Sequence, residues 1–506
     1  MLDLGRTFLQ SVERSPGVTG IVDGGLRLTY EAWFERISRI AGGIAGLGLG
    51  RGDRLLVVLQ NRWEMATLHW ACQFLGVVVT PLNWRAKADE IEYCAGDADA
   101  KAVVFEAVSA DAVAGCGYAQ RVPRIAVGGA PGGTLAFEAL LAAAPAEPLL
   151  RASADDVSVM LYTSGTTGRP KGVPRRQRAE RAAALAHVAQ NLYGRGERTL
   201  GVMPLYHTMG VRSLLSSALI DGLFACMPRF DAGDALRIIA GEAITNLYLV
   251  PTLYHDLLAH PAFARAEVGS VRKLGFAGAP MHDALVHRLV AAFKPRLFVN
   301  HYGSSEIYTF TIDQDAARKP GSAGRAGINA RIRVVRLDAK SADELASQGC
   351  EGQIAADLSG DEAFEGYWKR PDADGKALRG GWYFTGDTGY VDADGDLFVT
   401  GRVDDMIISG GENISPVDIE SVLSLHPAVD EVSVAGLRDE RWGQRVVAFI
   451  KRKGAVDAEA LDAHCKTSEL VNFKRPREYV FVREIPKSPV GKILRRKLVA
   501  GEYEAE

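Results

Sequence analysis

Four short runs rich in β-branched and apolar residues, at 54–60 (RLLVVLQ), 101–106 (KAVVFE), 245–251 (TNLYLVP) and 296–303 (RLFVNHYG), alternate with stretches whose apolar residues recur every three or four positions. Strands spaced by helices in this way pair largely in parallel and are covered on both faces, so the alternation predicts α/β layers. Two of the intervening helices, "DALRIIAGE" from Asp234 and "DALVHRLVAAF" from Asp283, each open on an aspartate placed to cap the first turn. At 506 residues the chain exceeds one core and predicts roughly two to four domains. The clearest boundary is the charged, bendable turn inside GDLFVTGRVDDMIISGGENISP at 395–416. It predicts a large N-terminal domain of layered, mostly parallel sheets over 1–403 and a small, mobile α+β domain over 404–506, with a hinge near Asp404.

The composition narrows the class of protein. With 47% hydrophobic and 24% charged residues and a net charge of −3, the chain has the balance of a globular protein and no excess of basic charge to draw nucleic acid or an anionic membrane. Its first residues mix acidic and basic side chains and lack a signal-peptide layout. The most apolar stretch, from Met65 to Leu82, is interrupted by His69, Gln73 and Pro81 and predicts a helix running into a strand, with no integral membrane segment. Six cysteines lie scattered with no C-x-x-C pair and no histidine cluster, which indicates neither a disulfide framework nor a zinc site, and a cytoplasmic setting is expected. The Gly-rich 127–135 and Ala-rich 138–148 segments read as a surface excursion without chemistry.

Residues 161–173, LYTSGTTGRPKGV, combine glycines, hydroxyls and one lysine, the materials of a phosphate cradle. The spacing is not that of a P-loop, because Pro170 stands where its second glycine should be and Gly172 where its magnesium-binding hydroxyl should follow. On its own the run reads equally as a phosphate loop or as a Gly/Thr-rich surface turn.

Six further motifs follow in order: MPLYHTMG (203–210), FAGAP (276–280), HYGSSE (301–306), GWYFTGD (381–387), GRVDDMIISGGENISP (401–416) and PKSPVGKILRR (486–496). Together with YTSGTTGRPKG, this set resembles the adenylate-forming superfamily of acyl-CoA synthetases, luciferases and peptide-synthetase adenylation domains, over essentially the whole chain. RWGQ (441–444) and FKRP (473–476) make it look closest to bacterial aryl-CoA ligases of the benzoate and 4-chlorobenzoate type.

The resemblance implies an AMP-forming acid–thiol ligase using ATP, Mg2+ and coenzyme A, in which a carboxylate first forms an acyl-adenylate and coenzyme A then displaces AMP. It implies that Lys492 bridges the carboxylate and α-phosphate, and that Glu306 holds magnesium. The loop Thr163, Ser164, Gly165, Thr166, Thr167, Gly168 and Lys171 would wrap the pyrophosphate. Tyr302 would stack on adenine, Gly278 and Ala279 lie along the base, Ser305 donate to the α-phosphate, and Asp387, assisted by Arg402, accept the ribose hydroxyls. His207 would position the carboxylate and is not read as a metal ligand. Arg85, Ser409, Gly410, Gly411, Glu412, Trp442 and Arg475 would serve coenzyme A, with Asp404 as the hinge between two poses. A homodimer is an arrangement the sequence leaves open.

By motif position the acyl pocket would comprise Ala184, His187, His207, Thr208, Met209, Ala279, His301, Gly303, Ile307 and Tyr308, a compact and partly polar set that suits a small aromatic, heteroaromatic or cyclic acid. No aspartate stands in PLYHTMG to meet an amino acid's ammonium and no carrier serine follows, so free coenzyme A is the expected acceptor. The alternatives are a medium-chain fatty acyl-CoA ligase, a luciferase-like monooxygenase and a non-catalytic nucleotide-binding protein. Two departures from the family pattern stand out. PRRQRAER after Lys171 places Arg175, Arg176, Arg178 and Arg181 together, which reads as a solvated helix start in preference to a phosphate-facing patch. Arg212 lies in the apolar VRSLLSSALI, either snorkelling to the surface or entering the acyl pocket to meet a second carboxylate. Neither departure is expected to touch the adenylation residues.

Overall fold

A computed structural model describes residues 2–129, 134–163, 169–410, 412–487 and 493–506, with the side chains of residues 404 and 413 left aside. Three sheets organise the chain. The first has seven strands, in the order Leu135–Ala136, Arg124–Val127, Ala100–Glu106, Arg54–Val58, Val78–Pro81, Val157–Thr163 and Lys171–Arg176. All its pairings are parallel except the last, where Val157–Thr163 and Lys171–Arg176 run antiparallel with Thr163 opposite Lys171.

The second sheet has 14 strands and two characters. From Thr19–Asp23 through Leu223–Cys226, Arg198–Gly201, Asn246–Leu249 and Lys273–Ala277 to Leu297–Tyr302, neighbours are parallel. Beyond Tyr302 the sheet continues antiparallel through Thr311–Asp313, Ser322–Ala326, Leu397–Arg402, Trp382–Val391, Gly352–Asp357 and Ile332–Val335. The third sheet draws its five strands only from residue 407 onward, with Gly443–Arg452 paired on Val429–Asp439 at its centre.

The run at 65–82 is the helix Trp63–Leu75 followed by the strand Val78–Pro81. That helix is buried all along its length, which explains why its apolar residues show no single stripe. Phe8, Trp33, Trp70 and Phe74 meet around it, Phe8 lying 4.7 Å from the Trp70 ring and 5.3 Å from Trp33, and the Trp33 indole donates to Thr67 Oγ1 at 2.9 Å. No helix among the described residues is long and apolar enough to cross a membrane.

Three expectations are corrected. The helix Ala232–Gly241 begins two residues earlier than Asp234, and its cap is Asp231, whose carboxylate accepts from the Asp234 N–H at 2.9 Å. Asp283 is the first residue of Asp283–Phe293 and not its cap, a position held by His282 without a side-chain bond. The Ala-rich segment is also no surface excursion at its start. Phe137 and Leu140, on the short helix Phe137–Leu141, are 1% and 2% exposed. Phe137 meets the Trp63 ring edge-on at 5.8 Å, and Leu140 packs against the helix Tyr30–Gly46 at Gly43. Four alanines after Leu141 dilute the apolar signal, so the anchoring pair is hard to see in the sequence. Leu140→Ala is expected to lower stability by about 2–3 kcal/mol in chemical denaturation, the cost of a buried leucine; a shift below about 0.5 kcal/mol would place the side chain at the surface after all.

Candidate active site

The parallel strand Leu297–Tyr302 ends where the sheet changes direction, and the chain there folds back on itself. Gly303 lies so close to the Tyr308 carbonyl that an added Cβ would stand 2.1 Å from its oxygen, so this turn admits no side chain. Ser304 N–H donates to the Ile307 carbonyl at 2.9 Å, and Ser304 Oγ accepts from the N–H groups of Glu306 and Ile307 at 3.2 and 3.4 Å. Glu306 thus projects from a tied turn. Its side chain accepts from the Tyr367 hydroxyl at 2.6 Å, and the residue is 6% exposed. Among the described residues no lysine, arginine or histidine stands within ion-pair distance of it. Lys171 Nζ lies 4.0 Å from the centroid of the same Tyr367 ring; burial pulls its pKa below the ordinary range while the Glu306 charge opposes that pull. A buried carboxylate lacking a resident cation is an oxygen donor suited to a hard divalent ion, so Glu306 fits magnesium.

A second carboxylate sits on the antiparallel half of the sheet. Asp387 and Arg402 are direct partners across Trp382–Val391 and Leu397–Arg402, and Arg402 Nη1 lies 3.0 Å from Asp387 Oδ1. The Tyr302 hydroxyl donates to Asp387 Oδ2 at 2.7 Å. Desolvation, followed by the neighbouring Asp387 charge, raises the Tyr302 phenol well above its usual range, so it stays a donor. The structure therefore brings together Tyr302, Asp387 and Arg402, three residues distant in sequence. A carboxylate oxygen can accept more than one hydrogen bond, so the arrangement is compatible with a diol. Gly278 is exposed and Ala279 half-buried on the turn after Lys273–Ala277, and Ser305 is half-buried beside Glu306.

The strand Lys171–Arg176 supports the Glu306 turn from below. Its alternate residues share one face: Lys171 reaches the Tyr367 ring, Val173 packs with Ile307, Phe364 and Tyr367, and Arg175 is wholly buried. Arg175 Nη1 donates to the carbonyls of Glu306 at 2.8 Å and Glu362 at 2.6 Å, Nε pairs with Glu180 Oε1 at 2.8 Å, and the guanidinium lies 4.0 Å from the Tyr308 ring centroid. The Tyr308 hydroxyl completes the group by donating to Glu180 Oε2 at 3.0 Å. This overturns two expectations. Arg175 is not part of a solvated helix start, and PRRQRAER does touch the turn that carries Glu306. Arg176 and Arg178 do match the solvated reading, since both are held in ion pairs to Glu365 and Arg178 also to Asp155; Arg181 donates to Thr7 Oγ1 at 2.9 Å.

His207 caps the helix Thr208–Leu219, its Nδ1 accepting from the Met209 N–H at 3.4 Å. Of the other acyl-pocket candidates, Ala279 and Gly303 are half-buried and Thr208 is 8% exposed, whereas Ala184, His187, Met209, His301, Ile307 and Tyr308 are all 3% exposed or less. Ala184 and Tyr308 belong to the main hydrophobic core. His187 and His301 lie 5.1 Å apart, ring to ring, and both contact Asn191. Burial, with the Arg212 charge adding to it, depresses both imidazoles well below their ordinary pKa, so they are neutral. Arg212 does not snorkel. At 2% exposure it donates to Thr309 Oγ1 at 2.7 Å, to the Tyr308 carbonyl at 3.3 Å and to the Tyr248 hydroxyl, with no carboxylate in ion-pair range among the described residues.

On the third sheet, Ser409 and Glu412 form the ends of a tight hairpin. Gly410, with φ +62°, passes under the Trp442 indole so closely that a Cβ would meet it at 2.9 Å, and its N–H donates to the Trp442 carbonyl at 2.8 Å. Trp442 is 42% exposed. Arg475 is held away from this group, its guanidinium donating to Asp462 at 3.1 Å and to Asn472 at 2.8 Å. Arg85 is exposed and stacks 3.7 Å from the neighbouring Trp84 ring. Thr163 and Lys171 end and begin the hairpin strands, while Ser164, Gly165, Thr166, Thr167, Gly168, Gly411 and Lys492 lie outside the described residues, and for Asp404 only the backbone, in the short helix Val403–Asp405, is described.

Sequence reasoning missed Tyr367, Glu180 and Glu362, and read Arg175 as part of a solvated helix start. Tyr367 stands in EGYWKRP with no local mark of its partner 61 residues away. Arg175 and Glu180 are five apart across a strand-to-helix junction, a spacing that matches neither helical nor strand periodicity.

The family model for AMP-binding enzymes matches residues 8–368, and that for the AMP-binding enzyme C-terminal domain matches 418–492. The chain is 33% identical to a 4-chlorobenzoate–CoA ligase of an Arthrobacter species, covering 96% of this chain and 93% of that protein. It is 32% identical to a long-chain fatty-acid–CoA ligase of Mycobacterium tuberculosis, covering 98% of each. Among solved structures, an anthranilate CoA ligase in complex with anthranoyl-AMP superposes with a TM-score of 0.90 at 25% identity, covering 99% of this chain and 97% of that one. The chain thus belongs to the AMP-binding enzyme family, as a carboxylate–CoA ligase that works with ATP, Mg2+ and coenzyme A.

Proposed function

We propose that the acid activated is a small aromatic, heteroaromatic or cyclic carboxylate. The observation that supports this is the closed back of the acyl pocket. Six of its ten candidate residues, from Ala184 to Tyr308, are 3% exposed or less, so the depth an alkyl chain needs is filled by side chains, and the half-open positions near His207, Ala279 and Gly303 leave room for a compact group. The aryl-CoA ligase relative is in keeping with that reading; the long-chain relative at nearly equal identity keeps the fatty-acid alternative alive as an outcome of the test.

The chemistry follows from charge. A carboxylate oxygen attacks the α-phosphorus while the bond to the β-phosphate oxygen breaks, so two anions must be brought together and pyrophosphate released. Glu306 accepts the Tyr367 hydroxyl and Lys171 lies over the face of the same ring, so both charges are held beside one aromatic side chain. Magnesium held by Glu306 would offset phosphate charge. Asp387, braced by Tyr302 and Arg402, anchors the ribose; Ser305 donates to the α-phosphate; His207 orients the acid; and Lys492 bridges the two reactants. In the second step the coenzyme A sulfur attacks the acyl carbon, the bond to the phosphate oxygen breaks and AMP leaves. We assign residues 1–403 to nucleotide and acid binding and 404–506 to a lid that turns about Asp404, so that Lys492 serves the first step and the hairpin around Gly410, with Trp442, the second.

A screen of AMP release with coenzyme A over ring, straight-chain and dicarboxylic acids is expected to rank benzoate- or furoate-like acids first; faster turnover with octanoate or longer acids would replace the ring reading with the fatty-acid one. Lys492→Ala is expected to slow acyl-adenylate formation by about 10²–10³-fold while leaving thioester formation from supplied acyl-adenylate nearly intact, and Gly411→Leu to do the reverse. Equal loss of both half-reactions in both variants would rule out the two-pose arrangement.

A further inference from the structure

We propose that Arg175 is a positioning residue for Glu306, holding the magnesium-facing carboxylate at its working geometry without touching metal or nucleotide. The inference rests on the assignment of Glu306 in the preceding section.

Two segments have to stay in register for that carboxylate to point one way. One is the turn from Gly303 to Tyr308, which carries Glu306. The other runs from Glu362 to Tyr367 and brings the Tyr367 hydroxyl to the carboxylate at 2.6 Å. Arg175 ties both together, because a single guanidinium nitrogen donates to the Glu306 carbonyl at 2.8 Å and the Glu362 carbonyl at 2.6 Å. A second tie runs directly between the segments, from the Phe364 N–H to the Glu306 carbonyl at 2.9 Å. Arg175 is itself fixed from the other side by Glu180 at 2.8 Å, and Glu180 also accepts from the Tyr308 hydroxyl at the far end of the same turn.

The energetics favour a positional role. A wholly buried guanidinium loses its hydration, and it is retained here by one carboxylate, two backbone carbonyls and an aromatic face. Well-packed apolar residues could fill the same volume at comparable or lower cost, so the charged pair does not follow from packing alone. What a guanidinium adds is a planar fork that fixes the angle between its acceptors. Arg175 also shares a strand face with Lys171, two rungs along. The strand that lays the lysine over the Tyr367 ring therefore also holds the turn whose carboxylate accepts the Tyr367 hydroxyl.

The test uses the full chain and a nucleotide that does not react, so it is independent of which acid is activated. Removing one charge would strand the other in the core, so the informative variant is Arg175→Met/Glu180→Gln, which is neutral and keeps an acceptor for the Tyr308 hydroxyl. Binding of α,β-methylene-ATP is titrated calorimetrically with and without Mg2+. The wild type is expected to bind more tightly with Mg2+, and the double variant to keep its Mg2+-free affinity while losing about tenfold or more of the Mg2+-dependent gain, the scale on which groups that orient a ligand residue act. Adding Glu306→Gln to the double variant should cost less of the Mg2+-dependent gain than it does in the wild-type background, where it removes the gain. An unchanged Mg2+ gain in the double variant, or an equal loss of affinity with and without Mg2+, overturns the proposal. A wild type whose affinity ignores Mg2+ instead removes Glu306 from its proposed metal role, and this inference falls with it.

Discussion

The Glu306 carboxylate is nearly enclosed, takes a hydrogen bond from a phenol and faces no cation of its own chain among the described residues. Leaving a negative charge so placed is costly, and the surrounding elements act to keep it there without neutralising it. A glycine that admits no Cβ folds the turn back, a serine hydroxyl ties its amides, and a buried arginine takes its carbonyl. Lys171 stands near enough to feel the charge but packs on the Tyr367 ring. A lysine in direct contact would pair with the carboxylate and spoil it as a ligand.

The sheet architecture explains why the residues converge. Catalytic turns in parallel sheets lie at the carboxyl ends of strands, and both Thr163 and Tyr302 end such strands. What is unusual is the change to antiparallel pairing beyond Tyr302, which adds Trp382–Val391 and Leu397–Arg402 to the same layer. Asp387 and Arg402 reach Tyr302 only because the sheet continues through that change.

Much of this was legible in the chain. The β-branched runs at 54–60 and 101–106 are strands at nearly those positions, and the interrupted apolar stretch at 65–82 is a helix followed by a strand. Glu306, Tyr302, Asp387 and Arg402 were visible through motifs, and the structure gathers them around two carboxylates. What stayed hidden shares one cause: it depends on pairs distant in sequence or out of step with any period. Tyr367 is such a case, as is the Arg175–Glu180 pair. Burial in the acyl pocket was hidden as well, since His187, His301 and Arg212 are polar residues whose enclosure only the packing of several elements decides. Leu140 failed in the opposite direction, an anchor masked by neighbouring alanines.

Arg402 closes the final rung with Asp387 only two residues before Asp404, and no strand of the third sheet begins until residue 407. The Asp387–Arg402 pair therefore sits at the root of the connection to the third sheet. If the smaller part rotates as proposed, torque is delivered at the guanidinium that braces Asp387, so sugar occupancy and lid orientation would share a mechanical coupling only a few bonds long.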